Sequence, residues 1–334
     1  MAATIREVAQ AAGVSASTVS RALSMSELVN PATRERVRQA ADRLGYRPNR
    51  AARGLITGRT GNLGLIVPDL ANPFFPSIVK GIQARARQLD YAVFLADTDE
   101  DPDAEPKLVR ALAKQVDGMV LCSPRMTEAD LRAVSAETTV VLVNRRVGSI
   151  PALTMDNAGG IRQATAHLRA LQHARVAWVG GPRDSWSNRE RRRALRGATA
   201  AAGMQLVDLG NFAPQFEGGV AAADLVVAAG VSAVIAYNDL VALGLLSRLR
   251  ARAIAVPGEI SVVGTDDIPL SGMSNPALTT VAQPKEQAGR QSVDLLLSLL
   301  DGAEDAVPAR RELPTQLLVR DSTGVATGPR ATDP

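Results

Sequence analysis

A single cysteine in 334 residues, Cys122 in the apolar run GMVLC, excludes an intrachain disulfide. The two histidines, His167 and His173, have no cysteine pair near them, which argues against structural zinc. No run of eighteen apolar residues occurs, so no membrane span is expected. The opening MAATIREVAQ lacks the basic-then-apolar order of a secretory signal. With one cysteine in the chain, these absences make cytoplasmic residence the expectation. Nucleotide-cradling motifs are missing too: there is no GxGxxG and no GxxxxGKS, and Gly180-Gly181-Pro182 is too weak to be read as a phosphate loop. Neither histidine has an evident nucleophile or metal-ligand cluster beside it. The chain is therefore read as no enzyme, with no cofactor and no metal.

What is present begins with charge. The length allows two or three domains with a sizeable core. Residues 1–60 hold ten arginines and four acids, a net +6. Of 38 basic and 34 acidic side chains overall, 28 and 30 then remain for the rest, a net −2. A basic head on a near-neutral body is the electrostatic footprint of a nucleic-acid-binding module with a separate partner domain. A solvated or membrane-facing basic surface is the bland alternative.

The head has a pattern of its own. In TIREVAQAAGVSASTVSRAL (Thr4 to Leu23), Ile5, Val8, Ala9 and Ala12 recur at helical spacing behind Thr4, a suitable N-cap. Gly13 can leave that helix at positive φ, and Ser15 can cap a second helix with Val19, Ala22 and Leu23 on its apolar side. The spacing predicts a helix-turn-helix whose second helix offers Ala16, Ser17, Thr18, Ser20 and Arg21, a small polar face able to approach base edges. Asn30-Pro31 starts a third helix that buries Val37, Ala41 and Leu44 and stops at Gly45. Beyond it, Arg50 to Ile56 is a short helix candidate, too weak to persist alone. It reads either as an element that folds when docked or as an ordinary linker.

From Asn62 the rhythm changes to strand, loop, helix. The strands are NLGLIVP, Tyr91 to Ala96, VDGMVLC and TVVLVN, followed after MDNAGG by RVAWVGG, MQLVDLG, SAVIAYN and ISVVGTD. Between them lie helices at 77–89, 159–171, 190–202, 218–228, 239–250 and 286–300, with LPTQLLVRDS as a last strand and DLANPFF as a loop. Continuous apolar strands at this interval imply parallel sheets covered on both faces, and two successive units of similar size imply two lobes with a cleft. Ligands bind outside the carboxyl ends of such strands. That rule selects Asp69, Asn72, Pro73, Phe74 and Phe75; Asp97 and Asp99; Asn144 and Arg145; Asn238 and Asp239; Asp266 and Asp267. Acids and amides beside aromatics suit a polyol. Equally, Asn238-Asp239 can cap a helix, Asp97 and Asp99 can be solvated, and Phe75 can be core.

The ordered combination IREVAQAAGVSASTVSRAL, NPATRERVRQAADRLGYRPN, ARGL and TGNLG closely resembles the lactose-repressor/galactose-repressor (LacI/GalR) family of bacterial transcription regulators. The similarity continues through LIVPDLANPFF, VDGMVL, MDNAGG, AYNDLVALG, VVGTDD and PALTTVAQP, nearly the whole chain. The resemblance implies a fold: an α/β protein with a three-helix head and hinge helix, followed by a two-lobed periplasmic-binding-protein-like body with parallel sheets. Residues 1–47 become the helix-turn-helix domain, 48–60 the hinge and 61–334 the effector-binding and dimerisation domain. Within the body, lobe 1 takes 61–156 and 285–310 and lobe 2 takes 157–284 and 311–325, with crossings near 157, 284 and 311.

The resemblance also assigns roles. Ala16, Ser17 and Arg21 lie where bases are read, and Thr18, Ser20 and Asn30 where phosphates are held. In the hinge, Arg50 falls in the DNA-binding set and Leu55 on a leucine that wedges into the minor groove. Arg191 falls on an arginine that holds the effector, Asp266 on an aspartate pairing with its hydroxyls, Asn238 on a polar contact, and Phe212 and Phe74 on aromatic pocket positions. Asn72, Asp97 and Arg145 complete the expected effector site. Departures exist: Ala194 replaces a usual glycine, Gln172 another, and Arg191-Arg192-Arg193 run consecutively, of which Arg192 and Arg193 are read as helix surface. The tail GVATGPRATDP reads as disordered, and no leucine heptad announces a further oligomerising helix.

The resulting expectation is a homodimeric repressor on a near-palindromic operator, controlled by a small sugar or sugar derivative between the lobes. Alternatives are a nucleobase or other non-sugar effector, a co-repressor, or a cytoplasmic ligand-binding protein without a regulatory role.

Overall fold

The computed structural model describes residues 3–24, 29–46, 58–302 and 310–327. The chain forms two compact units, Met1–Gly61 and Asn62–Pro334.

In the first unit, helix α1 (Ile5–Ala12) opens with a capping box. The Glu7 amide donates to the Thr4 hydroxyl at 3.4 Å, and the Thr4 amide donates to the Glu7 carboxylate at 2.6 Å. Gly13 ends the helix at φ 65°, which turns the chain into α2 (Ala16–Ser24), where Ser15 Oγ accepts from the Thr18 amide at 3.1 Å. Helix α3 (Pro31–Leu44) is capped by Asn30 at 2.9 Å and ends at Gly45, φ 61°. Val8, Val19, Val37 and Ala40 are fully buried between the three helices. Leu44, expected in this core, is instead 42% exposed: Ala40 and Ala41 complete the stripe, and the last turn of α3 outruns its two short partners.

The second unit contains two six-stranded sheets. The first is ordered β11-β5-β4-β3-β1-β2, with β1 (Asn62–Val67), β2 (Ala92–Asp97), β3 (Gly118–Cys122), β4 (Val140–Val143), β5 (Ala152–Met155) and β11 (Arg310–Leu313). The second is ordered β12-β10-β9-β8-β6-β7, with β6 (Arg175–Gly180), β7 (Gln205–Asn211), β8 (Ala233–Ala236), β9 (Ser261–Asp266), β10 (Thr279–Ala282) and β12 (Gln316–Leu318). Among the described residues the strands pair in parallel except β10 with β12, which is antiparallel.

Helices cover both faces of each sheet. On the first sheet, α4 (Phe74–Gln88) and the helix Lys285–Leu300 pack over one face, and α5 (Glu105–Ala113) and α6 (Glu128–Glu137) over the other. On the second, α7 (Asn157–Ala170) and α8 (Trp186–Ala201) lie opposite α9 (Phe216–Ala228) and α10 (Asp239–Ala251). A short α11 (Pro269–Met273) precedes β10, and Lys285–Leu300 is α12.

Several expected boundaries change. Phe74 and Phe75 are not in the loop but open α4, both nearly buried. The final strand divides in two: 310–313 pairs with β5 in the first sheet and 316–318 with β10 in the second. Pro314, which has no amide to extend a ladder, stands between them, so the third crossing falls at 314–315 rather than near 311. β5 and β10, absent from the sequence reading, are four-residue strands flanking the first two crossings. The tail is pinned at its start, with the Gly324 amide on Ser261 Oγ at 3.0 Å and the Ala326 amide on Leu171 O at 2.8 Å. Residues 328–334 lie outside the described residues.

Each lobe is tightened by glycines where two helices meet. A Cβ on Gly289 would strike the Ile78 carbonyl of α4, and one on Gly244 would strike the Phe216 carbonyl of α9. At Gly197 in α8 an added Cβ meets nothing within 4 Å. Gly289→Ala is accordingly expected to destabilise by about 1–3 kcal/mol through overpacking. Gly197→Ala should stabilise by about 0.5–1 kcal/mol through helix propensity. Urea unfolding midpoints check both; a neutral Gly289→Ala would contradict the close helix approach.

Candidate ligand site and DNA-reading face

The carboxyl ends of the strands are where this backbone departs most from ordinary geometry. Among the described residues, nine non-glycine residues have positive φ, and Asp90, Gln172 and Ala253 simply follow helices. The other six, Asp99, Glu100, Ser123, Asn144, Asp266 and Asp267, all lie at or just beyond the ends of β2, β3, β4 and β9. Such strain persists only where surroundings over-determine it, and it clusters at functional sites. Four of the six line one small cavity between the two sheets.

That cavity encloses about 20 Å³, room for about one water molecule. One wall holds Arg125, 3% exposed, which donates through Nε and Nη2 to the Glu100 carboxylate at 2.6 and 2.9 Å. Its third donor reaches the Ser123 carbonyl at 3.1 Å. Asn144 stands beside this pair; its Nδ2 donates to Ser123 Oγ at 2.9 Å, and its buried Oδ1 has no partner. Just before α4, Asn72 Oδ1 accepts from the Phe74 amide at 3.0 Å, and Phe74 and Phe75 lie edge to face at 5.1 Å along the cavity.

The opposite wall centres on Arg191 of α8. Its Nε donates to Asn157 Oδ1 at 2.8 Å and its Nη1 to the Tyr237 carbonyl at 2.5 Å. Nη2 lies 3.7 Å from Asp266, and the guanidinium sits 5.3 Å from the Tyr237 ring centre. Asp266 also accepts from Gln283 at 3.2 Å, while Lys285 donates to its main-chain carbonyl. Burial pushes the Asp266 carboxyl up to about 7; Arg191 and Lys285 pull it down, and nearby Asp239 raises it further. Asn238 caps α10 through the Val241 amide at 2.9 Å and grips the Pro214 carbonyl at 2.7 Å, so it serves as helix cap and cavity wall together.

Of the eight residues expected at the effector site, Asn72, Phe74, Arg191, Asn238 and Asp266 line this cavity. Three positions correct the expected lining. Asp97 is exposed, and its carboxylate orders the following loop by accepting from the Leu70 and Asp99 amides at 2.8 and 2.9 Å. Arg145 is buried but turns to the Pro124 carbonyl. Phe212 packs on the apolar core of the second lobe. Asp239 is not at the cavity either; it is fully buried and fastens Ile268, Ser271 and Thr280 together. The residues the sequence reading missed are Glu100, Ser123, Arg125, Pro214 and Tyr237. Extending the strand-end rule to β3 would have found Ser123 and Arg125.

In the head, Ser17 and Arg21 are exposed one turn apart on α2, and Thr18 and Ser20 are half-buried. Ser15 Oγ bonds both Ser17 Oγ and Thr18 Oγ1 at 2.8 Å, which fixes the start of this face. Ala16 is partly withdrawn, packed against the head's own core. Asn30 is exposed and its side-chain oxygen is committed to capping α3. Arg50 and Leu55 lie outside the described residues.

A helix-turn-helix head in one chain with a two-lobed α/β body, whose strand ends close on a polar cavity, defines a sequence-specific DNA-binding regulator with a ligand-binding body. Residues 4–49 match the bacterial regulatory proteins of the lacI family, and residues 165–323 match the periplasmic binding protein-like domain. The HTH-type transcriptional regulator CelR of Thermobifida fusca is 38% identical over 96% of this chain and 98% of its own length. A crystal structure of the Lac repressor dimer bound to operator and the anti-inducer ONPF superposes with a TM-score of 0.85 at 30% identity, covering 97% of this chain and 100% of that one. A complex of the transcriptional regulator CelR with cellobiose gives 0.72 at 34%, covering 96% and 99%. The chain belongs to the lacI family of bacterial transcription regulators.

The buried Asp266 carboxyl has a consequence for stability. An unfolded aspartate ionises near 3.8, whereas Asp266 in the fold holds its proton to about 7. Between those values the folded state binds more protons, so stability falls as pH rises through the window and levels off above it. Comparing urea midpoints of wild type and Asp266→Asn from roughly pH 5 to 8 should show the asparagine variant gaining on wild type as pH rises. A pH-independent difference would mean that the carboxylate stays ionised in the fold.

Proposed function

We propose that this regulator is a homodimeric repressor whose operator affinity falls when a neutral saccharide enters the cavity between the lobes. The observation that carries the ligand class is the pairing of charges there. Arg125 faces Glu100 and Arg191 faces Asp266, so each wall sets hydrogen-bond donors beside acceptors. A polyol, with paired hydroxyls that both donate and accept, satisfies such groups without adding charge, and Asn144 Oδ1 offers an acceptor still to be filled. The CelR complex with cellobiose, a neutral disaccharide, supports the same class. An enclosed space of about 20 Å³ is far below the volume of a sugar, so entry requires the lobes to part or the arginines to swing. That movement is the allosteric step, and ligand and operator affinities are then linked reciprocally by about 1–3 kcal/mol.

Dimer formation has its own support. The edge strand β2 exposes Phe94 and Leu95, at 37% and 38%, and the second lobe exposes Leu225, Leu270 and Met273. Apolar side chains unburied on both lobes favour a partner that runs along the body, and the similar Lac repressor structure is that of a dimer. Two heads on a two-fold body read two inverted half-sites.

Arg191→Ala and Asp266→Ala should abolish the response of operator affinity to saccharide while leaving ligand-free affinity nearly unchanged. Operator titrations at fixed salt, across a panel of neutral mono- and disaccharides, check this. A wild-type response in both variants would remove the cavity from the mechanism, and rising operator affinity with sugar would reverse the sign. Footprinting should show two inverted half-sites protected. Arg21→Ala should then relax discrimination at one base position per half-site by roughly 1–3 kcal/mol. A single protected half-site, or unchanged discrimination, would contradict this reading.

A further inference from the structure

The arginine run on α8 divides between two sites. Arg191 points to the cavity, whereas Arg192 and its neighbour Arg189 line a separate recess of about 430 Å³ with Arg183, Asn188, Gly210 and Asn211. This recess lies at the carboxyl ends of β6 and β7, behind the Gly180–Gly181 backbone. Asn188 clamps that backbone from the recess side through the Gly181 amide and carbonyl at 2.9 and 3.1 Å. A Cβ at Gly181 would strike the Tyr237 ring, which lines the other cavity, so the two spaces are one backbone apart.

The charges in the recess do not balance. Arg192 shares Asp208 with Arg196, and Arg193, 78% exposed and outside the recess, pairs with Glu190. Arg183 and Arg189 are both exposed, and among the described residues neither pairs with a carboxylate. Arg189 donates only to the main-chain carbonyls of Arg183 and Asp184, at 3.2 and 3.0 Å. Its charge is felt on the other lobe: Arg145 is held below its ordinary value, first by burial and then by Arg189. Two exposed guanidinium groups without counterions on the rim of one recess match a small dianion. Guanidinium forks fit the oxygens of phosphate in particular.

We propose that this recess is a second ligand site, distinct from the cavity between the lobes, which binds a phosphate dianion, either free phosphate or the phosphate group of a small ester. Isothermal titration calorimetry of the full chain with inorganic phosphate and with glycerol 2-phosphate, against sodium chloride at matched ionic strength, tests it. Saturable binding is expected for wild type and for Arg193→Gln. Affinity should be weaker by about tenfold or more in Arg183→Gln/Arg189→Gln, since a charge-assisted hydrogen bond is lost at each position. Tighter binding of the ester upholds the site and assigns an organic phosphate, and tighter binding of free phosphate upholds it and assigns the ion. Wild type unsaturated at about 10 mM of both probes would overturn the proposal. So would wild-type affinity in the double variant, or an equal loss in Arg193→Gln.

Discussion

A guanidinium taken out of water must find acceptors inside the protein, because leaving it unpaired costs several kcal/mol. Arg191, 3% exposed, meets this demand with Asn157 from the start of α7, the Tyr237 carbonyl from the end of β8 and Asp266 from the end of β9. Arg125 does the same on the facing wall through Glu100 and Ser123. To bring those acceptors inward the chain accepts left-handed backbone at Glu100, Ser123, Asn144 and Asp266. The buried arginines thus organise the strand ends around them, and the cavity is the space left between two such arrangements.

Within each lobe, packing is tight. Glycine contacts lock α4 to α12 and α9 to α10, and apolar clusters fill both faces of both sheets. Across the cleft, Gln215 to Asp69 and Ser187 to the Asn144 carbonyl are long side-chain bonds, each at 3.4 Å, whereas Lys285 of α12 holds the Asp267 carbonyl at 2.8 Å. The crossing segments are tied to one another, with the Asp156 amide on the Leu313 carbonyl at 2.8 Å and Thr315 Oγ1 on the Asp156 carbonyl at 2.9 Å. Rigid lobes on a short, bonded hinge respond to a ligand by moving as bodies, because packed cores do not deform continuously. A ligand inserted at the strand ends acts at the joint between the two lobes.

Much of this was legible in the sequence, for identifiable reasons. The helix caps at Thr4, Ser15 and Asn30 are read from residue types whose side chains bond amides locally, so no tertiary knowledge is needed. The long apolar strands announce themselves in the same way. β5 and β10 do not: ALTM and TTVA are four residues each, and only the sheets that receive them mark them as strands. The strand-end rule located Asn72, Phe74, Asn144, Asn238 and Asp266, but it could not say which way a side chain turns. Asp97 folds back on its own loop and Arg145 onto the Pro124 carbonyl, while Glu100, three residues after Asp97, and Arg125, three residues after the end of β3, reach the cavity. Orientation there is set by backbone at positive φ in non-glycine residues, which local sequence preference argues against.

The central claim is that the space between Arg125 and Arg191 is where a small molecule acts on this regulator. A crystal structure of the full chain with a neutral saccharide that raises its melting temperature tests that claim most directly. The account predicts sugar density bonded to Arg191 and Asp266 on one wall and to Asn144 on the other, with the lobes displaced from their present spacing. Density elsewhere on the body, with the Arg191–Asp266 and Arg125–Glu100 contacts unchanged, would contradict it.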